Sequence, residues 1–495
     1  MAAIITEKFR IHNAKQFRED FSESASSQYI FIGRSHPWPV DTTPPTPVNG
    51  TSEEVDAWSD MTALKKVGTA DVSHGLKRID WTTGTKYDEY QHDYSASNTT
   101  TGTLKSSLFD PLALPYVMTD EYHVYKCIRT GRNSSGAVVN STVKPIGTSA
   151  TDLVESSDTG AASGRGYVWK YMYTVTASDT IKFVTSDFIP VKTLGVSTSV
   201  DGQLAALGAT IANDGSSQWD VETNAIAIDG GVLHAVVTAG GSGYNNNTYT
   251  DVPVVGDGSG GKCTVNIAGG AVTHITMQTD GYGTGYKRPQ IIIATSTTNL
   301  SGIGSGSGAK VKPIISPSNG HGGDHTQELG GNHVIVNSRL EFAEGSGDFP
   351  TDNDFRRIGL IQDPFSTGTT VATATHMAAY SQLTLTSVAG LEVDDIIRNA
   401  NADGAGVANS RVISITGTVV SHIPIADSAG GFTNFAASNT CFVGSSTIGT
   451  VSITAANAAF PEVVAYSGQV LYIENRGAVT RAADQIEDIK LIIEM

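Results

Sequence analysis

Hydrophobic positions along this chain fall into short runs broken by Gly, Asn, Asp, Ser and Pro, a pattern that predicts β-strands and few helices. Tyr29-Ile30-Phe31-Ile32 is a continuous apolar run ending at Gly33, and reads as a buried strand. Residues 117–128 and 166–175 read as strand pairs by composition. In the second, Tyr167, Trp169, Tyr171 and Tyr173 occupy alternate positions, so one strand face becomes an aromatic stripe, which we assign to the core. Shorter runs follow at Val334-Ile335-Val336, Leu383-Thr384-Leu385 and Val412-Ile413-Ser414-Ile415. Two last strands are expected at Val470-Leu471-Tyr472-Ile473-Glu474 and Ile489-Lys490-Leu491-Ile492-Ile493-Glu494, with Asn475-Arg476-Gly477 ending the first in a turn. A short strand is also expected at Ala3-Ile4-Ile5. The helical exception is residues 12–21, where Phe17 and Phe21 stand four apart among charged neighbours and form one face of a short amphipathic helix.

Other stretches carry no clear period. Residues 37–47 are proline-rich and extended, and Trp38 beside them is read as packing rather than ligand stacking. Residues 58–93 are polar, and the run Tyr87-Asp88-Glu89-Tyr90-Gln91-His92-Asp93-Tyr94 fits either a partner surface or a solvated loop with tyrosines folded beneath it. Residues 202–317 are Gly-rich and contain a near-repeat. Gly231-Val232-Leu233-His234-Ala235-Val236-Val237 leads to Gly241-Ser242-Gly243-Tyr244, and Ala271-Val272-Thr273-His274-Ile275-Thr276-Met277 leads to Gly283-Thr284-Gly285-Tyr286, 42 residues on. Each is followed by a Gly-Ser-Gly turn before a lysine, Lys262 or Lys310. One hairpin-sized unit used twice predicts two small stacked sheets.

Composition agrees with a turn-rich β chain: 495 residues, 53 of them Gly, and only 16% charged. That length corresponds to about three domains. A formal charge of −17 with no cluster of Lys and Arg along the chain argues against nucleic acid and anionic membranes, and favours a protein or carbohydrate partner. Cys127, Cys263 and Cys441 are odd in number and far apart, so reduced, buried thiols and intracellular assembly are expected. The N-terminus lacks a charged leader with a long apolar run, and no window approaches the roughly 18 apolar residues of a membrane span. A soluble protein without a signal peptide is expected.

Candidate chemistry is thin. Gly240-Gly241-Ser242-Gly243-Tyr244-Asn245 approaches a calcium-binding nonapeptide, but the next copy is too distant and the acid is Asn. Residues 302–310 resemble a phosphate loop without its Gly-Lys-Ser/Thr ending, and a strand rather than a helix is expected to follow. His321, Asp324, His325 and His333 are the residue types of a zinc or iron site, set on a loop that does not present both histidines on one helical face. Asp352 with Asp354, and Asp394 with Asp395, are acid pairs of the kind glycosidases use, although neighbouring loop acids are usually solvated. His-Glu-x-x-His and Gly-x-Ser-x-Gly are absent. We therefore assign no catalytic, cofactor or metal residues.

Six words occur in order along the chain: Phe31-Ile32-Gly33-Arg34-Ser35-His36-Pro37-Trp38, Val124-Tyr125-Lys126-Cys127, Gly164-Arg165-Gly166-Tyr167-Val168-Trp169-Lys170-Tyr171, Phe355-Arg356-Arg357-Ile358-Gly359-Leu360-Ile361-Gln362-Asp363-Pro364, Ser467-Gly468-Gln469-Val470-Leu471-Tyr472-Ile473-Glu474-Asn475-Arg476 and Asp484-Gln485-Ile486-Glu487-Asp488-Ile489-Lys490-Leu491. Together they resemble the baseplate wedge subunit, the eighth-numbered structural protein, of T-even-type contractile-tailed phages. The resemblance implies a structural, non-enzymatic protein of the virion tail, assembled in the host cytoplasm. It implies a homodimer that binds other baseplate wedge proteins and serves baseplate assembly and the triggering of sheath contraction. No cofactor, nucleic acid, membrane or small-molecule substrate is implied. The spacing departs from the family between Val175 and His333 and again between Phe365 and Pro461. We therefore expect a mainly β fold with a β-sandwich-like core, a short N-terminal helix and two inserted small β domains. The core is expected in residues 1–201, 318–366 and 461–495, and the insertions in 202–317 and 367–460. The rival reading is a tail-associated glycan-binding or glycan-degrading protein, whose chemistry would sit in an insertion.

Overall fold

The computed structural model describes residues 5–23, 26–93, 115–149, 153–192, 230–317, 320–340, 354–480 and 486–495. The strand expected at Ala3-Ile4-Ile5, the end of the acidic-aromatic run at Tyr94, Asp352 and the first part of the Gly-rich stretch, 202–229, lie wholly or in part outside the described residues. The fold is mainly β, as the pattern predicts, with many antiparallel sheets and an N-terminal helix at Glu7–Asp20. That helix buries Ile11 and Ala14, and Phe17 packs edge-on against Phe21 with ring centres 5.4 Å apart. The chain divides into two compact units.

The first unit comprises Met1–Lys15, Ser73–Ile335 and Ile492–Met495. It contains an antiparallel sheet in the order Tyr116–Met118, His123–Arg129, Val168–Thr174, Leu153–Glu155. One face carries Tyr87, Val117, Tyr125, Cys127, Tyr167 and Trp169, all fully buried or nearly so, and Tyr167 stacks on Trp169. The aromatic stripe is therefore core, with one correction. A register shift pairs Val124 with Tyr173 and Tyr125 with Tyr171, so Met172 is bulged out of step. Tyr173 leaves the stripe for the cluster on the opposite face, with Val124, Met172, Ile189 and Leu329.

The Gly-rich module of the same unit forms two sheets, one of Asn247–Pro253, Ser259–Ala268 and Ala271–Thr284, the other of Val232–Ser242 and Ser307–Ile315. The two copies do not each form a sheet of their own. The first strand of each copy instead pairs with the closing strand of the other: Ser242 faces Ser307 and Thr284 faces Ser259. Gly241 and Gly283 occupy equivalent left-handed positions, φ 65° and 66°, where a Cβ would stand 2.4 Å from Ser307 O and 2.6 Å from Ser259 O. Tyr244 and Tyr286 lock the two halves alike, their hydroxyls accepting from Ala309 N at 3.2 Å and Gly261 N at 3.1 Å. This exchange lets one core of Val232, Val252, Val265, Tyr286 and Ile303 serve both copies. The two ends of the described part of the module lie together, with Ser316 N donating to Gly231 O at 2.8 Å.

The second unit comprises Gln16–Val72 and Val336–Leu491. Its main sheet runs Met61–Lys66, Gln28–Gly33, Asp354–Gln362, Gln469–Thr480. The second strand is buried at every position, which explains its uninterrupted apolar run. Helix Thr51–Asp60 lays Ala57 and Trp58 into the core with Tyr29, Phe31 and Leu64. The polar reading of residues 58–93 overlooked the strands Met61–Lys66 and Val72–Lys77 inside that stretch. The expected turn at Asn475-Arg476-Gly477 is also corrected. Gln469–Thr480 is one strand, and the pairing steps from Arg357–Asn475 to Phe355–Val479, so the extra residues form a bulge. Tertiary bonds hold it, with Trp38 Nε1 donating to Arg476 O at 2.9 Å.

Within this unit the strands Ser381–Leu385, Val419–Ile425, Asn409–Thr416, Ile396–Arg398, Thr440–Val443 and Ser446–Ser452 close a six-stranded barrel. A barrel this small fills its interior with aliphatic side chains, here Leu383, Leu385, Ile397, Val412, Val420 and Val451, which accounts for the scarcity of aromatics in this stretch. Its connections also leave and return together: Glu462 N donates to Ala378 O at 2.9 Å.

Candidate functional site

The words singled out in the sequence come together in space, within each unit, as two buried ionic clusters. In the first unit the register of His123–Arg129 on Val168–Thr174 sets Lys126 directly opposite Lys170. Strand alternation turns both away from Cys127 and Trp169, towards the short helix His325–Leu329. That helix is started by Asp324, whose side chain accepts from Gln327 N at 2.9 Å, and stopped by Gly330 in the left-handed region. It delivers Glu328, whose Oε2 lies 2.6 Å from Lys126 Nζ, both side chains 1% exposed. The other carboxylate oxygen accepts from Gly322 N at 2.8 Å and Asp324 N at 3.2 Å. Lys126 Nζ also stands 4.1 Å over the Tyr90 ring, against whose face His321 packs edge-on. Lys170 Nζ donates to Tyr171 O at 2.7 Å.

Two ammonium groups and one carboxylate set the protonation of everything nearby. Burial pushes Lys126 below its ordinary value, with Glu328 opposing. His325 falls to about 3 and His321 well below the usual imidazole range, in each case through burial first and then the adjacent lysines. Both imidazoles are therefore neutral, with the lysines as their cationic neighbours. The four proposed metal-type residues take separate tasks. His321 meets Tyr90, Asp324 caps the helix and pairs with Lys15 at 2.6 Å, His325 stacks near Tyr173, and His333 packs on Phe188. Among the described residues no group of three or more His, Cys, Asp or Glu is placed to hold a metal. A buried lysine can serve as a nucleophile, but Lys126 and Lys170 are 0% and 2% exposed, which keeps substrates from them.

The second cluster is built from the words 31–38, 355–364 and 467–476. Gly33 ends its strand where a Cβ would stand 2.5 Å from Asp60 O, and Arg34 follows with φ 61°. This turn lays the Arg34 guanidinium 3.5 Å over the ring of Trp38 while Nη1 bonds Asp60 at 3.1 Å. Arg357 reaches Glu53 at 2.7 Å and Asn475 Oδ1 at 2.9 Å. Its neighbour Arg356 grips Asp41 through Nε and Nη2 and also bonds Asp354 at 2.9 Å. Trp38 is thus packing, as read from the sequence, and the guanidinium stacked on it was not foreseen. Burial raises Asp60 although Arg34 and Arg357 pull it down, and burial with Arg34 lowers His36 to about 4.

The remaining candidates have structural occupations. Asp354 also accepts from Thr480 Oγ1 at 2.6 Å, while Asp395 accepts from Glu392 N at 2.8 Å and Asp394 approaches Arg411 at 4.0 Å. In the Gly-rich module Asn245 Nδ2 donates to Gly302 O at 3.0 Å, and Gly306 lies against the Tyr244 ring, so residues 302–306 form a fixed turn leading into a strand. The acidic-aromatic run is largely folded in: Tyr87, Asp88, Glu89 and Gln91 are buried, while His92 and Asp93 are exposed. Cys127, Cys263 and Cys441 are free and buried, and burial raises all three thiols. Among the described residues no helix is long and apolar enough to cross a membrane.

Comparison with known proteins covers part of each cluster. Residues 3–195 match the family described as Bacteriophage T4, Gp8. The baseplate wedge protein gp8 of Enterobacteria phage T4 is 25% identical over 215 residues, which is 38% of this chain and 60% of that protein. The chain thus spans about 60% of the length of the relative it matches. The resemblance read from the short words is borne out over the first three of the six, which lie inside the matched range with Lys126, Lys170, Arg34 and Trp38. Arg356, Arg357 and the last words lie beyond it.

Proposed function

We propose, from the premise that residues 3–195 match the family described as Bacteriophage T4, Gp8, that this chain is a structural subunit of a phage tail baseplate wedge. One observation carries the reading. The residues that bear the likeness build internal ionic clusters and aromatic cores rather than an open constellation of reactive groups. Such clusters fix a unique backbone arrangement more than they add stability, a property suited to a part that must dock against several neighbours.

In this account the subunit is a homodimer in contact with other wedge proteins and takes part in baseplate assembly and in triggering sheath contraction. It resides in the virion tail after assembly in the host cytoplasm and catalyses no reaction. The Gly-rich module of 202–317 and the barrel region of 367–460 are insertions carried by the wedge core. Support for the insertions comes from the joined ends of the barrel region, where Glu462 bonds Ala378, and of the described part of the Gly-rich module, where Ser316 bonds Gly231. Sedimentation of the purified chain, followed by reconstitution with the other wedge proteins of its phage, tests the proposal. A dimer that enters a wedge complex supports it. A stable monomer that binds none of them overturns it.

A further inference from the structure

In the first unit, the Gly-rich module and the strand His123–Arg129 border a cavity of about 60 Å³ lined by Arg129, Arg132, Arg165, His234 and His274. A water needs roughly 10–15 Å³ of such space, so the cavity has room for a group of several heavy atoms. Three guanidinium groups meet there in a chain whose formal charge is −17. Their counter-charges do not balance. Arg129 Nη2 lies 2.9 Å from Glu155, and Arg132 Nη2 lies 3.6 Å from Glu89. Glu89 is already engaged, accepting from Thr130 N and Oγ1 at 3.0 Å and standing 3.3 Å from His234 Nε2. Arg165 has no carboxylate among the described residues. Its Nη1 donates to Asn133 O at 3.3 Å, and its Nη2 donates to Thr273 Oγ1 at 3.3 Å and to His274 Nδ1.

The last bond fixes a tautomer. Arginine can only donate, so Nδ1 of His274 accepts and its proton sits on Nε2, which gives this lining residue a further donor. The positive field is visible in the same ring, which burial first and then Arg165 and Arg129 hold down at about 4. The wall therefore offers donors and cationic charge in excess of acceptors.

We propose that this cavity is an anion site that takes a carboxylate or another small oxyanion through Arg165, Arg132 and the Nε2–H of His274. Forked guanidinium donors suit such groups, and the site is distinct from both ionic clusters above. The ligand is either a free inorganic oxyanion or a carboxylate. The test titrates the full chain with sodium phosphate and, separately, with sodium acetate at constant ionic strength, and follows the ring resonances of His274 together with the melting temperature. A bound anion stabilises the imidazolium, so a saturable shift with a raised His274 pKa and a raised melting temperature is expected. Tighter response to acetate assigns a carboxylate, and tighter response to phosphate assigns an inorganic oxyanion. Arg165→Gln should weaken binding about tenfold or more, the scale of a lost charge-assisted bond, and Arg165→Lys, which keeps the charge but not the fork, by less. The proposal is overturned if neither anion moves His274, a result that needs no variant, or if Arg165→Gln binds as tightly as the natural chain.

Discussion

Replacing Glu328 by Gln removes the carboxylate beside Lys126 while keeping the shape and the acceptor for Gly322 N and Asp324 N. An ammonium left unpaired in a buried site usually costs about 3–5 kcal/mol. A ceiling follows from the lysine itself, because it can shed its proton instead. From an ordinary value of 10.5, neutralising it at about pH 7 costs roughly 3.5 pH units, or about 5 kcal/mol at 1.36 kcal/mol per unit. The same arithmetic gives a signature. In the variant the unfolded chain binds a proton that the folded chain lacks, so stability rises with pH. The penalty should shrink from about 3–5 kcal/mol near pH 7 to about 2 kcal/mol or less near pH 9. Urea unfolding of both proteins across that range measures it. The double variant with Lys126→Met should recover most of the loss, since the unpaired charge is then gone. A penalty below about 1 kcal/mol that does not change with pH would match an exposed pair and refute the buried cluster.

Four further outcomes are expected. Trp169→Ala should cost about 3–5 kcal/mol in unfolding experiments, since the side chain is fully buried; unchanged melting with lost wedge binding would instead make this face an interface. Arg357→Ala should cost about 3–5 kcal/mol by stranding Glu53, which urea unfolding at neutral pH would read. His422 is neutral and buried, its value lowered by burial from 6.5 to about 4. The unfolded chain takes up its proton first on acidification, so stability falls as pH drops from about 6.5 to 4, and His422→Leu should remove about 3 kcal/mol of that loss. Excising the barrel at the joined positions Ala378 and Glu462 with a short Gly-Ser bridge should leave a cooperative thermal transition; loss of that transition would mean the barrel belongs to the main core.

The strands that the sequence announced are those whose burial is continuous or alternating, such as Gln28–Gly33 and Val168–Thr174. What it hid depended on partners far along the chain. Asn475-Arg476-Gly477 has turn chemistry, yet Arg357 and Trp38 claim its side chain and carbonyl and draw it into a bulge. The repeat was visible as spacing, but nothing local tells Val232–Ser242 to pair with the closing strand of the other copy. Helix Thr51–Asp60 left a signal that was passed over, the acid-rich first turn at Glu53 and Glu54 ahead of Ala57 and Trp58. Lys126 and Lys170 stood inside recognised words, but only strand register makes them a pair. The arginines of the proposed anion site form no basic cluster along the chain, because their cavity closes only when residues 129–165 meet 234–275.

The central claim, a structural place in the tail baseplate, is tested most directly by a cryo-EM map of the phage tail that carries this chain. The account predicts density for it in every wedge of the baseplate, as a pair of copies, with the Lys126–Glu328 and Arg34–Trp38 clusters in its interior. Absence of the chain from the baseplate, or its presence only on an outlying fibre, would contradict the account.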